Sequence, residues 1–269
     1  MNLTETEYNK STEFYTSILD LFNADFILYQ SVINTLRPHS ILELGCGSGR
    51  LFPLYINKIP VIYGIDISQE MLNKAALKFP SVQLVNSDIV GFKLPLKFDL
   101  IVLSNSLLKH IEHQSDRIKI INNAKEHLTD DGIILLDHAE YLYYEGKTTD
   151  WFDAENTIIS KWLLNNERLQ GYQWRKEVIN DKDILMWRFV KNTKTVFQTQ
   201  FTTFVYKIKD LIHDIDSIGL NHIQLLSEYD LSGLNQKGNR FIVAISKHNI
   251  NLEKFKCDFV ENFRNANKS

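Results

Sequence analysis

Cysteine is nearly missing from this sequence, with two thiols, Cys46 and Cys257, in 269 residues. Two cysteines make no disulfide framework, and Cys46 stands between glycines where a bridge would be sterically awkward, so a reducing compartment is expected. No apolar run approaches the roughly 20 residues that cross a bilayer. Residues 1–10 are polar with two glutamates, unlike a signal peptide, so the expectation is a cytoplasmic protein with no membrane partner. An excess of basic residues is also missing. Lys and Arg number 30 against 33 Asp and Glu, a net charge of −3, which leaves no electrostatic footprint for nucleic acid as a partner. His110 and His113 are spaced like a metal pair, but no third ligand follows at a suitable distance, and no metal is expected. Repeats and low-complexity stretches are absent too. What remains is 44% hydrophobic and 23% charged, globular values at a length that suits one large domain or a domain with an insertion.

The chain is organised around residues 41–50, Ile-Leu-Glu-Leu-Gly-Cys-Gly-Ser-Gly-Arg. Strand-like residues run into a Gly-x-Gly-x-Gly turn, and Leu51, Phe52, Leu54 and Tyr55 then resume at helical spacing. Glycine serves here because the backbone turns sharply and a ligand must approach where a Cβ would collide. A second strand, 61–66, ends in Asp66, 21 residues after Gly45. A carboxylate at that distance is placed to accept hydrogen bonds from ribose hydroxyls. A dinucleotide usually sits on Gly-x-Gly-x-x-Gly, its pyrophosphate on the helix N-terminus. Here the third glycine comes one residue early, and Glu43 would repel a pyrophosphate but suit a cation. S-adenosylmethionine, with its sulfonium, ammonium and adenosine, fits both acids.

Strands and helices alternate along this region. Helices are expected within 12–36, interrupted near residues 23–25 and ended before Pro38, and over 68–78 and 106–128. Strands are expected at 61–66, 82–86, 99–104 and 133–136, with Gly132 turning the chain before the last. Alternation of this kind means a doubly wound parallel sheet, whose ligands bind outside the carboxyl ends of the strands. After residue 139 three strand-like segments, 172–179, 184–191 and 195–206, are separated by Asn180-Asp181 and Asn192-Thr193, pairs that suit hairpin turns. A helix over 208–218 with an apolar stripe stops at Gly219, strands follow at 223–226 and 240–246, and 251–269 reads as a short amphipathic helix with a frayed tail.

Residues 35–138 resemble the class I S-adenosylmethionine-dependent methyltransferases. Residues 41–50 are similar to that family's first motif, and Asp66, Ser68 and Met71 to its Asp-x-Ser-x-x-Met-Leu arrangement. Residues 87–89 are similar to its adenine-contacting position, 98–111 to its fourth motif, and 128–136 to the approach to its fifth strand. The resemblance implies an α/β fold, a doubly wound, seven-stranded, mostly parallel Rossmann-like sheet with its final strand antiparallel. It also implies an N-terminal helical lid over residues 1–38, a cofactor-binding core over 39–138 and 207–248, an antiparallel acceptor-binding β insertion over 139–206 and a tail over 249–269. The cofactor it implies is S-adenosylmethionine. Tyr15, Glu43, Gly45, Cys46, Gly47, Gly49, Asp66, Ile67, Met71, Asp88, Ile89, Ser104 and Asn105 are its expected contacts. Tyr8 and Phe14 are further aromatic candidates in the lid, since a ring face attracts a sulfonium by about 0.5–2 kcal/mol.

Two histidines are candidate bases because imidazole exchanges protons near neutral pH: His110 after the fourth strand and His138 at the end of the fifth. His113 reads as solvated helix surface. In the stretch 140–153, rings and carboxylates are mixed, and Tyr141, Tyr144 and Trp151 are candidates to bind the acceptor, an amine or guanidinium. Asn105-Ser106 and the insertion resemble small-molecule methyltransferases of the glycine N-methyltransferase type, except that the spacing from that pair to the histidine is one residue longer here. The expected activity is methyl transfer to a small molecule or short peptide, at nitrogen ahead of oxygen. A nucleotide-binding oxidoreductase and a non-catalytic cofactor-binding protein are the readings from other classes.

Overall fold

The computed structural model describes residue 16, residues 25–139, 158–164, 167–179, 181–227 and 240–248, and residues 252, 255, 258 and 259. Its first helix, α1, spans Phe26–Leu36. Then come β1 (Ser40–Leu44), the short α2 (Phe52–Tyr55), β2 (Val61–Asp66), α3 (Gln69–Lys78), β3 (Gln83–Asn86) and β4 (Phe98–Leu103). A 3-10 turn at Leu107–His110 precedes α4 (Gln114–Glu126) and β5 (Leu128–Ala139). Four strands follow, β6 (Ile158–Leu164), β7 (Glu167–Ile179), β8 (Lys182–Lys191) and β9 (Lys194–Phe204). The chain returns through α5 (Ile208–Ser217), β10 (His222–Ser227) and β11 (Arg240–Ser246).

The main sheet has the order β10-β11-β5-β4-β1-β2-β3. Its pairings are parallel from β3 across to β5, and β11 runs antiparallel to both β5 and β10. This is the expected doubly wound sheet. Strand alternation sends Ile41, Leu100, Val102 and Leu135 to one face, where Leu28, Val32, Phe52 and Leu72 pack. Leu42, Ile101, Leu103 and Leu136 go to the other, against Ile120, Ile121, Leu211 and Ile215. Both faces are therefore covered, which is why β1 is buried along its whole length. Leu252, Phe255 and Phe259, spaced as on one helix face, also join the first face.

Local signals set several boundaries. Ser68 caps α3 by accepting the Met71 N–H at 3.2 Å, with Glu70 in the first turn and Lys78 in the last. Asn192 and Thr193 both adopt left-handed backbone between β8 and β9, the geometry of a two-residue hairpin turn.

Three expectations need correction. The helix expected over 106–128 is broken, because Arg117 turns its guanidinium back onto the carbonyls of Ile111 and Glu112 at 2.8 and 3.2 Å, and a regular helix starts only after His113. β5 begins at Leu128 rather than 133, pairing with β4 across an irregularity between Phe98 and Leu100. The second sheet has four strands, β6-β7-β8-β9, not three. Ser160 and Lys161 interrupt the apolar run of β6 and hide its strand character. The lid segment before residue 25, apart from residue 16, lies outside the described residues.

Candidate functional site

The turn after β1 is held from the tip of β2. Gly47 N–H and Ser68 N–H each donate to one Asp66 carboxylate oxygen, both at 2.8 Å. Burial pushes the Asp66 carboxyl up, and these two donors oppose it. Gly45, at φ +67°, leaves no room for a side chain, since a Cβ there would lie 2.6 Å from Leu107 Cδ1. Gly47 differs. Its φ is also left-handed, at +54°, but nothing lies within 4 Å of where its Cβ would be, so the backbone faces open space. Cys46 turns inward and is buried, and burial pushes its thiol up, so it packs rather than reacts.

Beneath the turn sits an unusual carboxyl. Glu43 is 2% exposed. Its Oε1 accepts from Ser104 Oγ at 3.4 Å, and the Tyr55 hydroxyl also interacts with the carboxyl. Burial raises its pKa to about 8, against the nearby Arg50 charge. Arg50 itself forks onto Asp25, at the start of α1, with contacts of 2.7 and 2.6 Å.

These groups open into a cleft of about 710 Å³. Of the expected site residues, Glu43, Gly45, Cys46, Gly47, Asp66, Ile67, Met71, Asp88, Ile89, Ser104, Asn105 and His110 all line it. Asp88 is exposed and closes its own loop by accepting the Val90 N–H at 2.9 Å. Gly49 is not on the wall. A Cβ there would strike the Phe52 ring at 2.3 Å, so its smallness serves the packing of α2. Tyr8, Phe14, Tyr15, Tyr141, Tyr144 and Trp151 lie outside the described residues.

The two histidines separate. His110 faces the cleft, and burial, with a smaller push from Lys109, lowers its pKa to about 4. His138 is not on the wall, and its placement as a candidate base is corrected. It lies in the core, its Nε2–H donating to the Tyr206 carbonyl at 2.8 Å and its ring set edge-on to Tyr206. Burial brings its pKa to about 4 as well.

Sequence reasoning missed the opposite wall. Lys182 and Ile184 of β8, and Gln200, Thr202 and Phe204 of β9, line it at the two-residue spacing of strands. That period could have marked them as one face. Glu112, His113 and Asp116 stand at the mouth, where Glu112 meets Lys182 at 2.8 Å. His113 thus borders the cleft rather than plain solvated surface.

Residues 41–132 match the family model described as "Methyltransferase domain". That stretch, about a third of the chain, is similar to a methyltransferase domain. An uncharacterized methyltransferase of Mycobacterium tuberculosis is 32% identical over 92 residues, covering 32% of this chain and 46% of that protein. The dTDP-3-amino-3,4,6-trideoxy-alpha-D-glucopyranose N,N-dimethyltransferase of Streptomyces venezuelae is 24% identical over 121 residues, 45% of this chain and 50% of that one. The chain thus spans about half the length of these curated relatives. In fold it is similar to the crystal structure of an S-adenosylmethionine-dependent methyltransferase from Clostridium acetobutylicum. The TM-score is 0.67 at 22% identity, over 89% of this chain and 98% of that one.

The methyltransferase cleft fits this cofactor on its own chemistry. The buried Glu43 carboxyl, with a pKa near 8, can ionise to face a cation. The open backbone at Gly47 admits close approach, and the Asp66 carboxylate, with backbone N–H groups of Ser68, Gly47 and Ile67 on it, still has acceptor capacity for a hydroxyl. Among the described residues no group of side chains could hold a metal ion.

Proposed function

We propose that the protein moves a methyl group from S-adenosylmethionine to the nitrogen of a small-molecule amine held between the main sheet and strands β8–β9. Bound in the cleft, the cofactor supplies an electrophilic methyl on a sulfonium, so no side chain need act as nucleophile. Gly45 and Gly47 receive its methionine portion, with Glu43 as the nearby carboxyl. Asp66 receives the ribose, and Asp88 and Ile89 border the adenine. Ser104 and Asn105 stand beside the reacting centre. The work left to the chain is alignment of acceptor, carbon and sulfur, which can contribute roughly 7–11 kcal/mol.

The observation that carries the choice of nitrogen is the state of His110. A hydroxyl must lose its proton as it attacks, which calls for a base poised near the working pH. His110, on the cleft wall, is held near 4, neutral at pH 7 and too weak a base for that task, and Glu43, with a pKa near 8, is assigned to face the sulfonium. Its imidazole can still accept an N–H and orient a neutral amine. Glu112 and Asp116 at the mouth favour an approaching ammonium, which gives its proton to solvent there before the neutral amine attacks the methyl group. The activity of the Streptomyces venezuelae relative, N,N-dimethylation of an amino sugar nucleotide, agrees with an amine acceptor.

The test is a set of amino sugars and simple amines, each paired with its hydroxyl counterpart, incubated with the protein and S-adenosylmethionine. S-adenosylhomocysteine release and the mass of the products are read. Methylated amines with unchanged alcohols are expected. Methyl ethers or esters without methylated amines would overturn the nitrogen assignment.

A further inference from the structure

The turn that follows β4 carries two consecutive non-glycine residues in left-handed backbone, Asn105 at φ +53° and Ser106 at φ +57°. Such conformations are costly for L-residues and persist only where neighbours over-determine them. Asn105 lines the cleft beside Ser104, and the neighbours that hold the turn all come from β5. Asn105 N–H donates to Asp137 Oδ2 at 3.2 Å, and Ser106 N–H to the Asp137 carbonyl at 3.1 Å. Ala139 N–H returns a bond to Ser106 Oγ at 2.8 Å. Asp137 is 3% exposed and outside the cleft wall, and its Oδ1 takes the Arg240 guanidinium of β11 at 2.5 Å.

We infer that Asp137 is a positioning residue for the reaction centre, holding the strained Asn105–Ser106 turn in place from the adjacent strand. Arg240 keeps its carboxylate aimed, so register between β5 and β11 is passed to the cleft through one side chain. The ladder pairs Ile242 with Asp137 and Arg240 with Ala139, which sets Arg240 two residues along β11 from the point opposite Asp137. A buried carboxylate with donors on both oxygens is geometrically fixed, whereas an apolar residue there would leave Asn105 N–H unpaired and Arg240 without its partner.

This inference rests on the methyl-transfer reading for its kinetic consequence, but not for its structural one. Amide exchange by NMR is compared in wild type, Asp137→Asn and Asp137→Ala, with S-adenosylhomocysteine titrations beside it. In Asp137→Ala the amides of Asn105 and Ser106 are expected to exchange roughly tenfold faster or more, the loss of about one hydrogen bond, while those of Leu103 and Leu136 are unchanged. Asp137→Asn, which keeps a carbonyl oxygen for Asn105 N–H, is expected to recover much of that protection. With an amine that wild type methylates, Asp137→Ala is expected to lose kcat roughly tenfold at near-constant acceptor KM. Unchanged Asn105 protection in Asp137→Ala, or uniform loss across the sheet with no recovery by Asp137→Asn, would overturn the inference. If no acceptor is methylated, the proposed function fails, and the exchange data still decide the role of Asp137.

Discussion

Arg50 and Asp25 form a two-pronged ion pair, at 2.7 and 2.6 Å, with Asp25 wholly buried and Arg50 nearly so. The pair ties the residue just after the glycine turn to the first residue before α1. Phe26 adds its ring face beneath the guanidinium at 5.5 Å. Truncating one partner of a buried pair strands the other charge, a loss of about 3–5 kcal/mol. Asp25→Ala is therefore expected to lower the midpoint of chemical denaturation strongly and to weaken S-adenosylhomocysteine binding, because α1 and the turn are no longer held together. Paired urea melts and titrations check this.

Glu43 gives a pH dependence with a definite sign. Its carboxyl titrates near 4.5 in an unfolded chain and near 8 in the folded one. Between those values the folded chain holds a proton the unfolded chain has lost, so stability falls as pH rises through the window. The upper end is the cleanest, because near pH 8 the depressed histidines are neutral in both states. Glu43→Gln is expected to flatten the decline in melting temperature of the ligand-free protein between pH 7 and 8.5. A bound cation favours the ionised carboxylate, so cofactor binding at pH 7 is expected to release a proton in wild type and not in Glu43→Gln. Calorimetry in two buffers of different ionisation enthalpy measures that release.

Asp66 both closes the turn and keeps acceptor capacity. Asp66→Ala removes the acceptors of Gly47 and Ser68 N–H and, on the proposed function, the ribose contact with them. Cofactor affinity is expected to fall by more than about tenfold, the value of one lost hydrogen bond to a charged group. Asp66→Asn should fall in between. Isothermal titration with S-adenosylhomocysteine reads the series.

The Glu112–Lys182 pair spans the mouth of the cleft, from the segment before α4 to the start of β8, with both partners about half exposed. Exposed pairs of this kind contribute little to stability. Lys182→Ala is expected to leave the melting temperature nearly unchanged and to lower KM for a cationic acceptor, since it frees the Glu112 carboxylate. The effect should shrink as salt is raised. Steady-state kinetics at two ionic strengths test it.

The wall of the cleft that carries the glycine turn and Asp66 was legible in the sequence because it is built from contiguous motifs whose physics is local. A glycine turn, a carboxylate at a strand tip and a capping serine each announce themselves within a few residues. The wall supplied by β8 and β9 depends on long-range placement. Lys182 and Phe204 reach the cleft only because β8 and β9 pair with register and fold back over the 3-10 turn, which no spacing near either residue reveals. His110 and His138 looked equivalent from their positions after strands. They separate because one side chain faces the cleft and the other enters the core against Tyr206. Glu43 was readable as a cation partner, but its raised pKa comes from burial by α1 and α2, a property of packing.

The most direct measurement is a pair of calorimetric titrations on the unmodified protein, one with S-adenosylmethionine and one with NAD. Saturable binding of S-adenosylmethionine at one site per chain, with no heat from NAD, is the expected result. Binding of NAD alone, or of neither, would contradict a cleft shaped for a sulfonium nucleoside.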